Sequence, residues 1–461
     1  MKFKKNDLFE GEIVDITNLG FGVAKHQGAV VFVAGCVPGD VCKIRIIKVG
    51  SSYSVGRAEE FVKRSTLRVE DRCDNKLCRS CAYKCLDYTY EKSLKEEAVR
   101  QIFKKSGLSE VEILPLVGSP CELRYRNKAQ YPIARGKNGE YLIGFYAPKS
   151  HRVTEAAECP LAPEIFSKIC ESLREFFVEY NLSVYDEESG EGLLRHIYLR
   201  RGEISSEVLL TLVINGDSMP HADRLVKVVS EKFPEIVGIL LNINKEDTNI
   251  ILGDEFITLY GRDYIFDTLG GVALKITAPS FYQVNHDAAE LLYARAKELA
   301  APTRDDLLLD LYCGAGSIGL SMADAAGEVI GVEIVESAVQ CAKFNAEINH
   351  IFNASFYAGD ASDTKKILEP AEGARGEKIK PDIVIFDPPR GGTTEELIEH
   401  ISSLNPRKIV YISCNPATLA RDMVVLKKYG YVGNEVTPFD LFPMTGHVES
   451  VVCLKRQSDV I

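Results

Sequence analysis

Between residues 307 and 413 the chain repeats one pattern, in which a short apolar run ends at a turn that carries glycine, proline, an acid or a cysteine. The runs are 307–310, 329–332, 383–386 and 410–413. Helix-length segments separate them, and a helix from about residue 287 to 299 precedes them. This alternation predicts an α/β fold with a parallel, Rossmann-like sheet, whose ligands bind where the strands end.

The turns after these runs have the residues of a nucleotide pocket. Gly314 and Gly316 would let the backbone approach a ligand after the first run. Glu333 ends the second run, where its carboxylate could accept both hydroxyls of a ribose, and Asp360 could meet an adenine edge. A glycine-rich turn also occurs in NAD enzymes, but Asp387 and the two prolines behind it are typical of methyltransferases. The pattern favours S-adenosylmethionine over NAD.

A cysteine ends the fourth run. Free cysteines are often inert core residues, but Cys414 ends a strand, precedes a turn at Asn415 and Pro416, and follows the Asp387 strand in order. Those three features place it at the rim of the pocket, and a nucleophilic thiol beside a methyl donor indicates methylation at carbon. Glu449, just before another apolar strand, offers a carboxylate that could remove a proton.

The two groups suit a carbon that is a poor nucleophile by itself. Addition of the Cys414 thiolate to C6 of a uracil would put negative charge on C5, and a base such as Glu449 would later remove the C5 proton. A thiol has an unperturbed pKa of about 8.5, and nearby acids such as Asp387 would raise it further. Activation of the thiol therefore stays open, with a proton relay or the bound sulfonium as candidates.

A second group of cysteines lies near residue 80. Cys73, Cys78 and Cys81 fall within nine residues, which is a strong signature of a metal or cluster site in a reducing compartment. The fourth ligand is either the local Cys85 or the distant Cys159. Four thiolates suit zinc or an iron–sulfur cluster equally well.

Length and composition indicate a globular protein of two or three domains. The chain has 461 residues, with 46% hydrophobic and 26% charged residues. No apolar run is long enough for a membrane span, and no apolar core follows the N-terminal lysines as it would in a signal peptide. We expect a cytoplasmic protein with reduced cysteines, no membrane contact and a monomeric state.

The distribution of charge decides which partner to expect. The net charge of −11 argues against a polyanionic partner, yet residues 121–152 carry seven Lys or Arg against two acids. Arg195, His196, Arg200 and Arg201 form a second basic cluster. Either cluster alone could be a solvated face. Together with the tyrosines interleaved in the first segment, they favour an RNA-contacting surface; these are Tyr125, Tyr131, Tyr141 and Tyr146.

Three domains follow from these patterns. Residues 1–62 contain short alternating strands punctuated by glycines, which predict an OB-like barrel. We expect this barrel to bind RNA, as such barrels commonly do, although the same pattern also fits a purely structural domain. Residues 63–265 form a β-rich central domain that includes the cysteine group and a helix near 90–106, which could pack on the catalytic domain. Residues 266–461 form the methyltransferase domain.

Several motifs together resemble those of the RNA uracil-C5 methyltransferases, along nearly the whole chain. The barrel is similar to a TRAM domain, and the cysteine set is similar to the [4Fe–4S] ligands of that family. A TRAM domain with a cluster favours the branch that modifies 23S ribosomal RNA over the tRNA T-loop branch. The motifs are Ser280-Phe281-Tyr282-Gln283-Val284-Asn285, Asp310-Leu311-Tyr312-Cys313-Gly314, Asp387-Pro388-Pro389-Arg390, Ser413-Cys414-Asn415-Pro416 and His447-Val448-Glu449.

The resemblance implies roles for individual residues. Cys414 would be the nucleophile, Glu449 the proton-abstracting base, and Phe281 could stack on a flipped base. The residues that would hold S-adenosylmethionine or order its pocket are Gln283, Tyr312, Ser317, Glu333, Asp360 and Asp387. The cluster ligands would be Cys73, Cys78, Cys81 and Cys159.

The chain departs from the family pattern at three places. Arg79 and Ser80 stand where glycines are usual, Cys85 stands near a usual histidine, and Gly391 replaces a lysine in the turn after the prolines. These departures concern assembly of the cluster and fine substrate contacts, not the reaction.

Other functions fit fewer of these residues. Amino-group methyltransferases usually place an aromatic residue after the two prolines, where this chain has Arg390, and they need no thiol. RNA cytosine-C5 enzymes pair two cysteines, and the Asp387 segment has none. An RNA-binding protein with a degenerate methyltransferase domain would not need to retain Cys414 and Glu449. We therefore expect an S-adenosylmethionine-dependent RNA uridine-C5 methyltransferase in rRNA processing, with tRNA as the alternative substrate.

Overall fold

The computed structural model describes residues 3–75, 77–148, 150–359, 368–376 and 378–457. The chain begins with a closed barrel, in the strand order β1-β2-β3-β5-β4. Alternate residues of its strands point inward, and Ile13, Val31 and Ile44 are fully buried there. The predicted OB-like barrel is confirmed. Its strands are β1 (Leu8–Ile16), β2 (Phe21–His26), β3 (Ala29–Ala34), β4 (Val41–Val49) and β5 (Ser54–Lys63).

A loop that carries the first cysteine group leads from the barrel to helix α1 (Tyr88–Lys105). The helix begins where the Asp87 side chain accepts a hydrogen bond from the Tyr90 amide at 3.1 Å, an N-cap that satisfies one of the free amides of the first turn. The short strand β6 (Glu112–Ile113) follows.

The central region is rich in strands, as the sequence predicts. Seven strands form one sheet in the order β13-β12-β11-β10-β7-β8-β9, and a separate hairpin follows. The elements of the sheet and its helices are β7 (Lys128–Arg135), β8 (Tyr141–Tyr146), β9 (Val153–Glu155), α2 (Glu164–Glu179), β10 (Leu194–Arg201), β11 (Val208–Ile214), α3 (Ala222–Lys232), β12 (Ile236–Ile243) and β13 (Glu255–Gly261). The hairpin is β14 (Tyr264–Leu269) with β15 (Val272–Thr277).

Part of the predicted RNA surface is buried in this sheet. Strand β10 lies between β7 and β11, and Arg195, His196 and Arg200 are at most 7% exposed. The guanidinium of Arg195 donates to the Asn244 carbonyl at 2.7 Å, and that of Arg200 to the Ala278 carbonyl at 3.1 Å. The prediction that this second basic cluster contacts RNA is wrong for Arg195, His196 and Arg200, because these side chains are buried inside the fold. Arg201, the fourth member, is partly exposed and pairs with Glu203 at 2.8 Å.

Three of the four tyrosines from the first basic segment are also buried, namely Tyr125, Tyr131 and Tyr141. The interleaving of basic and aromatic residues there is the two-residue alternation of strands whose inner face packs on a core. Those three tyrosines are therefore not stacking platforms for RNA.

The C-terminal region has the predicted α/β architecture. Its nine-stranded sheet runs β18-β17-β16-β19-β20-β23-β22-β6, and β21 pairs with β23. The first five strands are parallel, and β23 is antiparallel to β20. The elements are α4 (His286–Ala300), β16 (Leu307–Leu311), α5 (Ser317–Met322), β17 (Glu328–Glu333), α6 (Glu336–Ile348), β18 (Ala354–Ala358), α7 (Glu369–Arg375), β19 (Ile383–Phe386), α8 (Glu395–Ser403), β20 (Lys408–Ser413), α9 (Pro416–Lys428), β21 (Tyr431–Val432), β22 (Glu435–Phe439) and β23 (Glu449–Arg456).

The N-terminal half of the chain is joined to this sheet at its β22 edge. Strand β6 extends the sheet beside β22, and α1 packs on α9 through the buried side chains of Val99 and Phe103. Among the described helices, none is both long and apolar enough to cross a bilayer.

Candidate active site

The register of the parallel strands brings the predicted pocket residues to one edge of the sheet. Leu311 pairs with Val332 on one side and with Phe386 on the other. Tyr312 and Asp387, the next residue after each strand, therefore lie side by side where the strand order reverses between β16 and β19. An open α/β sheet binds its ligand at such a reversal.

An antiparallel strand adds the two candidate catalytic groups. Because β23 runs against β20 and Ser413 is paired with Ser450, Cys414 and Glu449 come next to each other at the same edge. Cys414 is half-buried, whereas Glu449 is only 4% exposed. We call the ends of β16, β17, β19 and β20 together with the start of β23 the catalytic edge.

Within the part of the chain that the structure describes, the acids of the catalytic edge lack cationic partners close enough to bond. Among the described residues, no hydrogen bond or ion pair reaches the side chain of Asp387 or Glu449, and Oδ1 of the fully buried Asp310 has no partner. Burial, with Asp387 nearby, raises the pKa of Glu449 to about 8, and burial raises the pKa of Asp387 to about 7. Burial also raises the pKa of Asp310 to about 8. The pocket is therefore suited to a positively charged ligand.

The same environment opposes ionisation of the thiol. Burial and then the charges of Glu449 and Asp387 raise the pKa of Cys414 to about 11, and the nearby Arg390 only partly offsets them. The predicted effect of the acids on Cys414 is therefore present in the structure. At neutral pH the thiol needs a further positive charge or a proton acceptor before it can react.

The geometry also fits S-adenosylmethionine, which has a sulfonium and an ammonium group. A Cβ added at Gly314 would meet no atom within 4 Å, so the backbone there faces open space. The Gly314 amide donates to Glu333 Oε2 at 3.1 Å, and the Val335 amide donates to Oε1 at 3.0 Å. These bonds orient the Glu333 carboxylate and leave lone pairs for ribose hydroxyls.

Tyr312 has an unusual backbone for its residue type. Its φ of 64° lies in the left-handed region, which costs a non-glycine residue on the order of 1–2 kcal/mol and persists mainly at functional sites. Its hydroxyl lies 3.2 Å from Thr393 Oγ1, so it connects the turn after β16 to the loop after β19. Tyr312 therefore shapes the wall of the pocket.

The cysteines predicted as ligands line one cavity of about 1220 Å³. Cys73, Cys78 and Cys81 reach it from the loop before α1, and Cys159 reaches it from the loop before α2. Burial and then the charges of the other three raise the pKa of Cys81, so the four thiols are neighbours. We call this space the cysteine cavity.

Cys85 lies outside the cysteine cavity. It packs on a small apolar cluster around Leu86, and the groups that act on its pKa after burial are Asp71, Arg68 and Lys84 instead of other thiols. Within the described residues, no three Cys, His, Asp or Glu side chains are close enough together to hold one metal ion.

A family model described as tRNA (Uracil-5-)-methyltransferase matches residues 203–457, more than half of the chain. The chain belongs to the RNA uracil-C5 methyltransferase family. An RNA methyltransferase of Halalkalibacterium halodurans is 38% identical over 456 residues, 98% of each chain. Another, of Lactococcus lactis, is 39% identical over 458 residues, 99% of this chain and 98% of the relative. The expected activity, S-adenosylmethionine-dependent methylation of uracil C5 in RNA, is confirmed at the level of the family.

A solved structure has the same architecture. The Pyrococcus abyssi tRNA (uracil-54, C5)-methyltransferase in complex with S-adenosyl-L-homocysteine is 28% identical, with a TM-score of 0.76. The match covers 96% of this chain and 99% of that chain. It therefore includes most of the barrel as well as the methyltransferase domain.

Three further residues of this methyltransferase are predicted to bind the methyl donor, namely Gln283, Ser317 and Asp360. Ser317 Oγ lies 2.8 Å from the Tyr293 hydroxyl at the start of α5. Gln283 is 7% exposed, and its carbonyl accepts a hydrogen bond from Asn127 Nδ2 at 2.7 Å. Asp360 lies outside the described residues.

Residues beyond those predicted support the loop after β19. The buried Asp422 of α9 accepts hydrogen bonds from the Tyr411 hydroxyl at 2.5 Å and the Thr393 amide at 3.0 Å. Arg421 donates to the carbonyls of Gly391 and Thr393. Sequence reasoning missed both residues, since their only signal is a position one turn into the helix after Cys414.

The two residues that follow the prolines of this methyltransferase are Arg390 and Gly391. Arg390 supplies a positive charge that lowers the pKa of both Cys414 and Glu449, a role that its place directly after the two prolines could have suggested. A Cβ at Gly391 would meet nothing within 4 Å. The structure therefore has room for a side chain at this departure from the family pattern.

Proposed function

We propose that this methyltransferase forms a covalent bond between Cys414 and C6 of a target uridine, and that Glu449 removes the C5 proton afterwards. The observation that carries the proposal is the pairing of Ser413 with Ser450, which sets the two side chains next to each other at the catalytic edge. A nucleophile and a base at one point are what methylation of a ring carbon requires.

The proposed reaction has three steps. The Cys414 thiolate adds to C6, and the electron pair of the C5–C6 double bond moves towards C5 and O4. S-adenosylmethionine would supply an electrophilic methyl group: C5 bonds to the methyl carbon while the bond from that carbon to sulfur breaks, and the sulfur keeps the electron pair as a neutral thioether, S-adenosylhomocysteine. Glu449 then accepts the C5 proton, the C5–C6 double bond forms again, and the Sγ–C6 bond breaks to release the thiolate.

The positive charge of the methyl donor connects its binding to the ionisation of Cys414 and Glu449. With a pKa raised to about 8 for Glu449 and to about 11 for Cys414, both groups are mostly protonated in the ligand-free protein at neutral pH. A positively charged methyl donor favours the ionised form of both. We propose that the residues that hold this donor or order its pocket are Gln283, Tyr312, Ser317, Glu333, Asp360 and Asp387.

The target base must leave its stack to reach a half-buried thiol. Phe281 is 69% exposed, two residues from the buried Gln283. We propose that its ring stacks on the flipped uridine or its neighbour, since an exposed aromatic side chain beside an active site is suited to that contact.

For the RNA itself we propose 23S ribosomal RNA, as the combination of a TRAM-like barrel and a four-cysteine site suggests. The second candidate is tRNA, and a specific observation favours it. The solved tRNA (uracil-54, C5)-methyltransferase matches nearly this whole chain, so a barrel by itself does not separate the two substrates.

Methyl transfer tests reaction and substrate together. Labelled S-adenosylmethionine is supplied with unmodified 23S RNA and, separately, unmodified tRNA, and the label is located by nucleoside analysis. We expect 5-methyluridine in 23S RNA, and none with Cys414→Ala. Cys453→Ala is the matched control, because that half-buried thiol lies on β23 away from the catalytic edge. Label only in tRNA would favour the second candidate, and label that survives Cys414→Ala would rule out the covalent route.

The base has a separate test. In Glu449→Gln the adduct can form but the C5 proton has no acceptor, so RNA is expected to stay attached to Cys414 on a denaturing gel. Rapid turnover by Glu449→Gln would contradict the role of Glu449.

We propose further that Cys73, Cys78, Cys81 and Cys159 hold a [4Fe–4S] cluster, with zinc as the alternative. Support comes from four neighbouring thiols that line one cavity. Such a cluster would clamp the loop before α1 to the loop before α2. Cys159→Ala with unchanged iron content and RNA affinity would contradict this role.

A further inference from the structure

One short segment contacts the loop of Cys159, the residues around Gln283 and the loop that ends at Glu449. Residues 124–128, here the bridging segment, run between the loop of Cys159 and residues 283–285. On one side, the amides of Arg124 and Arg126 donate to the carbonyls of Pro160 and Leu161 at 2.9 and 2.8 Å. The bridging segment is therefore held by the two residues that directly follow Cys159.

The other side of the bridging segment holds Gln283. The Asn127 backbone amide donates to the Val284 carbonyl at 3.0 Å, and the Asn127 side-chain amide donates to the Gln283 carbonyl at 2.7 Å. Asn127 is 2% exposed, so water does not compete for this bond. Arg126 also forms an isolated antiparallel bridge with Asn285. Together these bonds determine where the backbone of Gln283 lies.

A third contact reaches the loop that ends at Glu449. The hydroxyl of Tyr125, a side chain that is 5% exposed, donates to the Pro443 carbonyl at 3.0 Å. Its ring packs on Met444 and Leu161. Residues 440–448, here the base loop, connect β22 to the first residue of β23, which is Glu449. The position of the base loop therefore depends in part on Tyr125.

We infer that Asn127 and Tyr125 are separate positioning residues for the two halves of the reaction: Asn127 holds Gln283 for the methyl donor, and Tyr125 holds the base loop so that Glu449 reaches the C5 proton. This inference rests on the proposed function of Gln283 and Glu449. Both side chains are buried, so neither contacts RNA directly. Each acts only by holding a neighbouring residue in place.

The two roles predict different kinetic changes. Tyr125→Phe removes one hydrogen bond to a buried carbonyl, and should lower kcat by about tenfold and lengthen the lifetime of the covalent RNA adduct, with KM for S-adenosylmethionine unchanged. Asn127→Ala should raise KM and the calorimetric Kd for S-adenosylmethionine by about tenfold, with the adduct lifetime unchanged.

Each variant has a matched control. Tyr131 on β7 is fully buried, and its hydroxyl has no hydrogen-bond partner in the described structure, so Tyr131→Phe removes a hydroxyl without breaking a bond. Asn242 is fully buried and donates to the Gly253 carbonyl at 2.8 Å, in a part of the central sheet away from Gln283, so Asn242→Ala is the control for Asn127→Ala. Thermal unfolding of all four variants separates loss of stability from loss of position.

The outcomes are distinct. If Tyr125→Phe and Asn127→Ala match their controls in kcat, KM and adduct lifetime, or if both change the same constant, the inference is wrong. If Glu449→Gln fails to accumulate adduct, the fault lies in the proposed base and not in Asn127, because donor affinity is measured without RNA. Should Tyr125→Phe fail to fold, the donor affinity of Asn127→Ala still decides the first half of the inference.

Discussion

Hydrogen-bonded strands hold the reacting groups of the catalytic edge, whereas loops hold the thiols of the cysteine cavity. Cys414 and Glu449 are positioned by the β20–β23 ladder, a constraint that needs no ligand. Cys73 and Cys159 belong to loops before α1 and α2 and meet only across a cavity of about 1220 Å³. The difference indicates that the fold determines the geometry of the catalytic edge, whereas we expect the proposed cluster to determine that of the cysteine cavity.

Loss of one cysteine from each region should give the largest contrast. Cys159→Ala is expected to release iron and lower Tm by more than about 10 °C, because the free energy of binding a structural metal group contributes directly to folding. Cys414→Ala should leave Tm within about 2 °C, since its neighbours are held by strands. The measurements are iron content and thermal unfolding after anaerobic purification.

Cys85→Ala is the control for the cysteine cavity, because Cys85 is a cysteine of the same loop that packs elsewhere. It should keep full iron content. If Cys85→Ala loses iron and Cys159→Ala keeps it, the assignment of the fourth ligand is reversed.

A buried ion triad joins α1 to the base loop, and its loss should have the next largest effect. Lys95 of α1 donates to Glu91 Oε1 at 2.6 Å and to Asp440 Oδ1 of the base loop at 2.8 Å, and all three side chains are at most 1% exposed. Lys95→Met leaves two buried acids without their cation and should cost about 3–5 kcal/mol of unfolding free energy. Urea unfolding measures it.

Lys104→Met is the comparison for the triad, since Lys104 is exposed on the same helix. It should change the unfolding free energy by less than about 0.5 kcal/mol. An equal cost in both variants would mean that the triad does not hold the base loop.

The acids of the catalytic edge should make stability depend on pH. The pKa of Asp310 is raised by burial from 3.8 to about 8, so between those values the unfolded state ionises while the folded state keeps its proton. Stability in the absence of ligand should therefore fall as pH rises from about 4 to about 8. Asp310→Asn, which can still accept from the Gly319 amide, should flatten the dependence of Tm on pH. An unchanged slope would show that Asp310 ionises freely in the fold.

The smallest expected effect concerns reactivity of Cys414. Because its pKa is raised to about 11, its rate of alkylation, followed by mass spectrometry of the Cys414 peptide, should still rise with pH between 8 and 10. At pH 9 Glu449→Gln should speed alkylation on the order of threefold, since a charge that opposes the thiolate is removed. Glu435→Gln, on the exposed start of β22, should not. A slower rate in Glu449→Gln would mean that Glu449 assists ionisation of the thiol.

Sequence reasoning predicted the catalytic edge better than the RNA surface. Strand ends and turns at Tyr312, Asp387 and Cys414 depend on residues a few positions apart, and the structure has them where expected. The prediction for Arg195 and Arg200 is wrong, because the sequence does not distinguish an arginine that bonds to buried backbone carbonyls from one that lies on the surface. The spacing of the cysteines left Cys85 and Cys159 as alternatives for the fourth ligand, and only the family resemblance indicated Cys159.

The sequence by itself determined the order of strands and helices, the turn residues of the pocket and the supply of thiols and acids, because backbone sterics and hydrophobic alternation act over a few residues. Only the tertiary structure decided which of these groups meet. The antiparallel insertion of β23 brings Glu449 to Cys414, and the bridging segment connects Asn127 to Gln283 across 156 positions. Such contacts depend on the packing of distant segments, which local sequence does not specify.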